Sequence, residues 1–424
     1  MSNSAATSLC IQNAYIPGRG LSDISIDQGR ITAVSQPGAA QAYNEVHDLN
    51  GWLVVPAMAE PHAHLDKALT ADIVPNPSGE LMGAITAWIA AAEKGTFTHE
   101  NTVQRACEAM ELLVIHGITA VRTHVNVTAD IGTSSVKALS EAKNLFNDAL
   151  DIQIVALMNS PMTGPDSKGN VEALHSVVEF GVDFVGGCPH LEPDPQKMIS
   201  FMLGLSQDAG LGIDFHIDET LDKEMLTLKD LAKQVINTSF PYPVSASHCV
   251  SLGMQSEKTQ AEVSKLVAEA NISVFTLPQT NLYLQGREHQ EAMPRGLTAI
   301  KALIENGVLV AAGADNVRDP FNLMGRSDPL ETASLMVMAG HQSIENAFEM
   351  VSSNARQAMG LEPACLNQGD LADFVAIDAP SLGTAMADAP MSRRVFKAGE
   401  LVGAVDQSSV VLSLIHISEP TRPY

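Results

Sequence analysis

The chain has few of the features that mark secreted, disulfide-bonded proteins. Its five cysteines, Cys10, Cys107, Cys188, Cys249 and Cys365, are scattered, and no two of them form a C-x-x-C pair. An odd and dispersed set argues against a disulfide framework and suits a reducing compartment. The first residues also lack the basic start and the apolar stretch of a secretory signal. We therefore expect a cytoplasmic protein.

Basic residues and long apolar runs are also scarce. The 424 residues include 25 Lys and Arg against 49 Asp and Glu, which gives a formal net charge of −24. Such a surface repels phosphate backbones and anionic lipid, so neither nucleic acid nor a membrane is an expected partner. No apolar run reaches the roughly 18 residues that a membrane span needs. The expected partner is a small molecule, and the sequence leaves open whether the chain forms a homo-oligomer.

Short apolar segments alternate with helical segments through the middle of the chain. In one of the helical segments, Val103, Ala106, Met110 and Leu113 fall on one face, and Gly117 ends the helix. Eight buried strands separated by helices predict an α/β fold, a (β/α)₈ TIM-type barrel. The strand candidates cover residues 52–58, 118–125, 152–158, 182–187, 212–217, 243–248, 272–278 and 307–314.

Both ends of the chain are rich in strand patterns. Apolar runs with glycine turns precede the barrel candidates, and the same pattern returns after residue 370. We expect one small β-sandwich domain that the N- and C-terminal segments build together. The last dozen residues resemble translated sequencing-adaptor sequence, so they are assigned no function. The predicted boundaries are 1–57 and 362–411 for the two parts of the small domain, 58–361 for the barrel and 412–424 for a non-native tail.

Metal-compatible side chains stand at the ends of four strand candidates. His62 and His64 are two residues apart, so on a strand both point to the same side. His216, His248 and Asp315 end three further candidates, and the carboxyl ends of barrel strands are where this fold carries its active site. A histidine alone would be a structural residue, but the joint pattern favours a metal site. Three imidazoles and one carboxylate suit zinc or ferrous iron rather than calcium or magnesium.

The same residues could perform acid–base chemistry. A metal of this kind lowers the pKa of a coordinated water to about 7. Glu219 follows His216 by three residues and could carry a proton from the water to a leaving nitrogen, although a solvent-facing glutamate in an acidic loop is the alternative. His248 is either a ligand or a group that polarises the water. Asp315 is a ligand, a base for the water, or both.

With these residues the chain resembles the amidohydrolase superfamily, and within it the cytosine deaminase branch. The resemblance covers nearly the whole chain and implies one metal ion, Fe²⁺ or Zn²⁺. The fourth strand fits this, since DFVGGCP offers no lysine for the carbamate that bridges two metals in other branches. It implies His62, His64, His216 and Asp315 as ligands. It also implies Glu219 as the proton shuttle and His248 as the residue that orients the water. The matching stretches include EPHAHLDK (60–67), IDFHIDE (213–219), SASH (245–248) and GADNVRDPF (313–321).

The implied activity is hydrolytic deamination of a small nitrogen heterocycle, cytosine or a related aminopyrimidine or purine. The resemblance implies Leu81, Asn159, Asn316 and Phe321 as substrate contacts. Three of them depart from the branch, which has a glutamine, a second aspartate and a tryptophan at the last three positions, and Thr123-His124-Val125-Asn126 replaces a His-Val-Asp run. Because of these changes, hydrolysis of a cyclic amide or an N-alkylamino-triazine is an alternative. An inactive barrel that only binds a ligand is another, and the complete set of site residues argues against it.

Overall fold

Two sheets organise the chain, which the computed structural model describes over residues 9–38 and 43–408. One sheet is parallel and comes from the middle of the chain, and the other combines strands from both ends. The predicted tail at 412–424 lies outside the described residues. No helix within the described ranges is both long and apolar enough to cross a membrane.

The strands are numbered in chain order. Strands β6–β13 form the parallel sheet, and β1–β5 with β14–β16 form the terminal sheet. Their bounds are β1 Leu9–Ile16, β2 Gly20–Asp27, β3 Arg30–Ser35, β4 Glu45–Asp48, β5 Leu53–Pro56, β6 Met58–Ala63, β7 Ile118–Val127, β8 Asp151–Met158, β9 Phe184–Gly187, β10 Gly212–Ile217, β11 Val244–His248, β12 Ile272–Thr276, β13 Val310–Ala312, β14 Phe374–Ile377, β15 Arg393–Lys397 and β16 Glu400–Val405.

The helices lie mainly between the barrel strands. Their bounds are α1 Leu81–Glu93, α2 His99–Ile115, α3 Ser134–Phe146, α4 Lys168–Phe180, α5 Pro195–Ala209, α6 Thr227–Thr238, α7 Val250–Gly253, α8 Glu257–Glu269, α9 Pro278–Leu284, α10 Ile300–Glu305, α11 Pro329–Met338, α12 Ile344–Val351, α13 Ser353–Ala358 and α14 Leu382–Asp388. In α2, the Thr98 side chain caps the first turn by accepting from the Asn101 N–H. Its buried face includes Ala106, Met110 and Leu113, as the helical spacing predicted.

The eight parallel strands close into a barrel. Neighbouring strands pair in sequence order from β6 to β13, and a parallel bridge between Ala63 and Asp315 joins the first strand to the last. The pairing and the helices between the strands confirm the predicted (β/α)₈ fold class. The carboxyl ends of all eight strands therefore surround one opening, where side chains from distant parts of the chain meet.

The first strand candidate, 52–58, is divided between the two sheets. Residues Leu53–Pro56 pair with β14 in the terminal sheet, and the barrel begins at Met58. The backbone passes from one sheet to the other within one residue, because the Ala57 N–H donates to the Asp373 carbonyl and the Met58 N–H to the Gly117 carbonyl. A continuous apolar run fits either sheet, so its pattern alone could not reveal the division.

The terminal sheet has the strand order β16-β15-β14-β5-β1-β2-β3, with β4 beside β1. Strands from both ends of the chain meet where β5 pairs antiparallel with β14, which confirms that the two termini build one β unit.

A buried ion pair fastens this sheet to the barrel. Arg393 of β15 donates to both carboxylate oxygens of Asp328 at 3.0 and 2.8 Å and to the His116 carbonyl at 2.7 Å.

Candidate active site

The two histidines of the H-x-H motif lie side by side at the carboxyl end of β6. Their ring centroids are 5.2 Å apart. His62 Nδ1 is 2.8 Å from Ser247 Oγ, and that hydroxyl donates to Asp214 at 3.3 Å. Because its Nδ1 is engaged, His62 presents Nε2 to Asp315 Oδ1 at 3.6 Å. The Ser247 contact thus orients the ring, as second-sphere hydrogen bonds do for ligating histidines.

His216 and Asp315 join the pair from the ends of β10 and β13. His64 Nε2 is 3.1 Å from His216 Nε2 and 3.3 Å from Asp315 Oδ1. All four side chains are buried. The structure therefore brings together the four residues that the sequence predicted as ligands.

This cluster fits a metal ion. Candidate ligand atoms of His62, His64 and His216 lie within 4.8 Å of one another, as do those of His62, His248 and Asp315. Among the described residues, His62 Nε2 and Asp315 Oδ1 are buried without a hydrogen-bond partner. Buried polar atoms are normally paired, because an unpaired one costs free energy. Convergent imidazoles and a carboxylate with unused lone pairs have the composition that zinc or iron prefers.

The electrostatics of the cluster keep its imidazoles ready to bind a cation. Burial lowers the pKa of His62 and His216 well below the usual value. Burial also lowers the pKa of His64, and the Lys67 ammonium lowers it further. Metal ligation requires unprotonated imidazole, and these shifts favour that form.

Glu219 and His248 stand next to the cluster. His248 Nδ1 lies 2.9 Å from Asn281 Oδ1 and 3.6 Å from Glu219 Oε1, and its Nε2 lies 4.0 Å from Asp315 Oδ2. Glu219 is only 7% exposed, so the alternative of a solvent-facing glutamate does not hold. Burial raises the pKa of Glu219 to about 8. Its carboxyl group can therefore hold a proton near neutral pH, as a proton carrier must.

The backbone is strained where two of these side chains enter the site. His248 and Asp315 both have φ of 67°, in the left-handed region that is costly for residues with a Cβ. Strain of this kind persists where the surrounding structure enforces it, and it is common at active sites. Here it occurs just at the ends of strands, where the chain turns over the barrel opening.

A cavity of about 380 Å³ opens above the cluster. Its floor includes His64, His216, Glu219, His248 and Asp315, and His62 lies beneath it. Its walls contain all four predicted substrate contacts, Leu81, Asn159, Asn316 and Phe321. Helix α1 forms an apolar wall with Leu81, Ile85, Trp88, Ile89 and Ala92.

The two predicted asparagine contacts differ in what they can offer a ligand. Asn316 accepts from the Thr280 hydroxyl at 3.2 Å and donates to Asp319 at 2.8 Å, so both ends of its amide are engaged. The Asn159 side chain has no hydrogen-bond partner within residues 9–38 and 43–408, although its backbone is paired. Asn159 is thus free to contact a substrate, and Asn316 shapes the loop that carries Asp319.

Sequence reasoning missed a buried glutamate that holds the barrel closed under the site. Glu60 Oε1 accepts from the His62 N–H at 3.1 Å, and Oε2 accepts from the Ala314 N–H at 2.8 Å. A Cβ on Gly313 would come within 2.2 Å of the same carboxylate, so glycine is required there. The motif around His62 contained this acid, but only the fold shows that it spans the first and last strands.

A second buried network supports the cluster from below. Arg122 donates to Asp214 at 2.8 Å, and His124 Nε2 lies 3.3 Å from the same carboxylate. The His124 ring packs on the His62 ring with centroids 4.0 Å apart. His124 does not line the cavity, which supports a structural role rather than substrate contact. Lys67, Trp88 and Asn126 do line it, and the sequence did not predict them as contacts.

Known proteins resemble this chain over most of its length. A pterin deaminase from Rhizobium rhizogenes is 30% identical over 385 residues, which span 90% of this chain and 87% of the relative. An N-isopropylammelide isopropyl amidohydrolase from Pseudomonas sp. is 24% identical over 93% of this chain and 96% of its own length. The solved structure of 5-methylcytosine deaminase from Klebsiella pneumoniae, liganded with 5-fluorocytosine, superposes with a TM-score of 0.85 at 27% identity and covers 95% of this chain and 99% of that one.

These likenesses confirm the resemblance that the motifs indicated. The sequence model of the amidohydrolase family matches residues 96–402. The match includes the second to eighth barrel strands, and with them His216, Glu219, His248 and Asp315. The chain belongs to the amidohydrolase family.

Proposed function

We propose that this protein is a metal-dependent hydrolase that removes an amino group from a small nitrogen heterocycle. Hydrolysis of a carbon–nitrogen bond follows from the family and from its deaminase relatives. The observation that carries the finer proposal is the position of Glu219. It is a buried carboxyl group with a raised pKa, beside His248 and the histidine–aspartate cluster, at one end of a cavity.

His62, His64, His216 and Asp315 would hold one divalent ion, zinc or ferrous iron. A bound ion of this kind acts as a Lewis acid and lowers the pKa of water to about 7. Asp315 contributes a carboxylate whose pKa is raised well above the usual value by burial and by the nearby Glu219 carboxyl. Its negative charge therefore lacks compensation in this pocket, and a divalent cation supplies it.

Glu219 is proposed as the proton carrier. The oxygen of water adds to the ring carbon that bears the amine, the carbon–nitrogen bond breaks, and ammonia leaves while the carbon becomes a carbonyl. Of the two protons of the water, one goes to the ring nitrogen beside the reacting carbon and the other to the departing amino group. Glu219 takes each proton from the attacking oxygen and delivers it. His248, whose Nδ1 lies 2.9 Å from Asn281 Oδ1, holds its ring toward Asp315 and orients the water.

The cavity wall supports a planar ring as the substrate. Trp88 and Phe321 line the cavity, with their ring centroids 5.5 and 5.9 Å from Lys67 Nζ. Trp88 is nearly buried and stacks on Phe97, whereas Phe321 is half-buried, so Phe321 is the flat aromatic face on which a heterocycle can stack. At about 380 Å³, the cavity holds the volume of about a dozen waters, so an aminopyrimidine fits either alone or fused to a second ring.

A second candidate is the removal of an alkylamine from a triazine ring. The apolar wall of Leu81, Ile85 and Ile89 in α1 favours it, because an N-alkyl group needs an apolar surface. A relative named for N-isopropylammelide covers nearly the whole chain. In this candidate Glu219 protonates an alkylamine in place of ammonia.

The decisive experiment measures nitrogen release from a panel of rings. Protein loaded with zinc or ferrous iron, and chelator-treated protein, are incubated with cytosine, 5-methylcytosine, isoguanine, pterin and N-isopropylammelide. Metal-dependent ammonia release from an amino-substituted ring is the expected result. Release of isopropylamine alone would select the second candidate. Stoichiometric metal with no release from any compound would contradict the proposal and favour an inactive binding barrel.

Replacing Glu219 with glutamine tests the proton carrier. Glu219→Gln keeps the size and the hydrogen-bonding shape of the side chain but cannot carry a proton. We expect unchanged metal content and turnover reduced about 10²–10⁴-fold, the usual contribution of a general acid–base group. Glu224→Gln, at an exposed position on the same loop, is the matched control and should retain turnover. Near-normal turnover in Glu219→Gln would assign the proton transfer to another group.

A further inference from the structure

Two of the four asparagines in the cavity wall are engaged by the protein itself at both ends of the amide. Asn170 accepts from the Ala129 N–H at 2.9 Å and donates to the carbonyls of Asn159 and Pro161 at 3.2 and 3.1 Å. Asn316 is likewise bonded at both ends of its amide. Both N–H donors of Asn170 are used, and both ends of the Asn316 amide are held by the protein, so the other wall residues are the candidates for specificity.

Asn126 is different. It lies near the end of β7, and its backbone N–H donates to Asp66 Oδ2 at 3.0 Å. Its side-chain Oδ1 lies 2.9 Å from Lys67 Nζ. Lysine has donors and no acceptor, so the amide must turn its oxygen to Lys67 and its NH₂ group away. That NH₂ group has no partner among the described residues, and Asn126 lines the cavity.

Lys67 is held in place by several contacts. Its Nζ lies 3.2 Å from Asp66 Oδ1, 2.9 Å from Asn126 Oδ1 and 3.1 Å from His64 Nδ1, and the side chain is buried. Three neighbours match the three directions in which an ammonium can donate. Lys67 therefore acts as a positioning residue, which fixes the orientation of the Asn126 amide rather than binding a ligand itself.

A second unpaired donor lies in the same wall. Trp88 lines the cavity, its side chain is 5% exposed, and its indole Nε1–H has no partner in the part of the chain that the structure describes. The two acidic residues in the wall outside the catalytic floor, Glu93 and Asp130, are at exposed positions. The wall beside α1 and β7 thus contains two donors without a partner among the described residues, the half-buried Asn126 NH₂ group and the buried Trp88 indole N–H.

We infer that Asn126, oriented by Lys67, is a specificity-determining residue that donates a hydrogen bond to an oxo group on the substrate ring. This inference rests on the proposed function and narrows its substrate to heterocycles that carry both an amino and an oxo group. Asn126 is half-buried, and a bound ring without the carbonyl covers its NH₂ group without giving it a partner. The loss of such a hydrogen bond lowers affinity by roughly one to two orders of magnitude.

The test compares matched rings with and without the oxo group. Values of kcat/KM are measured for cytosine against 4-aminopyrimidine and for isoguanine against adenine, in metal-loaded wild type, Asn126→Leu and Asn126→Asp. Wild type should prefer the oxo ring at least tenfold in one pair. In Asn126→Leu, kcat/KM for the oxo ring should fall until most of this preference is lost. The kcat/KM for the ring without the oxo group should change less than threefold. Asn147→Leu, exposed at the end of α3, is the control.

Asn126→Asp distinguishes the donor from simple packing. The carboxylate keeps the shape of the amide and its contact with Lys67, but its second oxygen is an acceptor and repels a carbonyl. The oxo ring should therefore lose more in Asn126→Asp than in Asn126→Leu. Lys67→Met should raise KM for the oxo ring more than KM for the ring that lacks it. Metal content is measured in parallel, because Lys67 also contacts His64.

A binding measurement keeps this inference separate from the catalytic proposal. In metal-loaded Glu219→Gln protein, calorimetry compares the binding of cytosine and 4-aminopyrimidine, and of isoguanine and adenine, before and after Asn126→Leu is added. A tenfold or greater loss of affinity that is confined to the oxo ring supports the inference, even if none of the proteins turns over a substrate. Equal losses for both rings, or unchanged discrimination, would overturn it and would leave the deaminase proposal standing if wild type releases ammonia.

Discussion

Two buried charged clusters in this protein differ in how completely their atoms are paired. At the junction of the two sheets, Arg393 donates through all three guanidinium nitrogens to Asp328, the His116 carbonyl and the Pro390 carbonyl. At the carboxyl end of the barrel, His62 Nε2 and Asp315 Oδ1 have no hydrogen-bond partner among the described residues.

The difference separates a structural role from a chemical one. Buried charges are costly unless they are paired, and the junction meets this condition with its own residues. The barrel end does not, and its unused lone pairs converge below a cavity. Charged and polar side chains thus indicate stability at the sheet junction, where their hydrogen bonds are made within the protein. They indicate ligand binding at the barrel end, where polar atoms lack a partner.

The largest expected effect comes from breaking the paired cluster. Arg393→Met removes the cation and leaves Asp328 buried without its partner, which costs about 3–5 kcal/mol of unfolding free energy. Arg30→Met is the control, because Arg30 pairs with Glu362 at the surface and such pairs contribute about 0–1 kcal/mol. Urea unfolding measures both. Equal losses would show that the junction owes little to its buried charge.

Breaking the unpaired cluster should affect metal binding more than intrinsic stability. Saturating zinc or ferrous iron at a hundred times its Kd should stabilise wild type by about 2.7 kcal/mol. His62→Ala should lose most of this stabilisation, because one ligand is gone, and should lose turnover as well. His175→Ala, at an exposed position in α4, should behave like wild type. A full metal-induced shift in His62→Ala would remove that residue from the proposed ligand set.

The smallest expected effect is a difference in the pH dependence of stability that arises at the sheet junction. Burial lowers the pKa of His116 below its usual value of 6.5. As the pH falls, the His116 side chain therefore takes up a proton in the unfolded chain before it does so in the folded protein. Its stabilising contribution is complete above pH 6.5 and is lost as the pH falls toward the folded pKa, by up to about 1.4 kcal/mol per pH unit. His116→Gln should lose less stability than wild type between pH 7.5 and 5.5 in urea unfolding. An identical loss would assign the acid sensitivity to other groups.

The barrel and the candidate ligands were predictable because their patterns are local. Four of the eight strand candidates end near a metal-compatible side chain such as His216 or Asp315, and the fold class then requires those ends to meet. The division of residues 52–58 was not predictable, because an apolar run fits either sheet. The hydrogen bonds of the Asn316 amide and the contact of Lys67 with Asn126 depend on residues distant in sequence. The spacing of residues along the chain carries no information about such contacts.

The contacts that join the first barrel strand to the last, called here the barrel seam, also determine when a metal site can form. Glu60 and the Ala63–Asp315 bridge join the first barrel strand to the end of the last, and the candidate ligands lie on both sides of that seam. During synthesis, His62 and His64 emerge long before Asp315, so a nascent chain carries only part of the coordination sphere until nearly the whole barrel has been made. With the proposed ligand set, full coordination of a metal therefore becomes possible only late in maturation, after the barrel has closed.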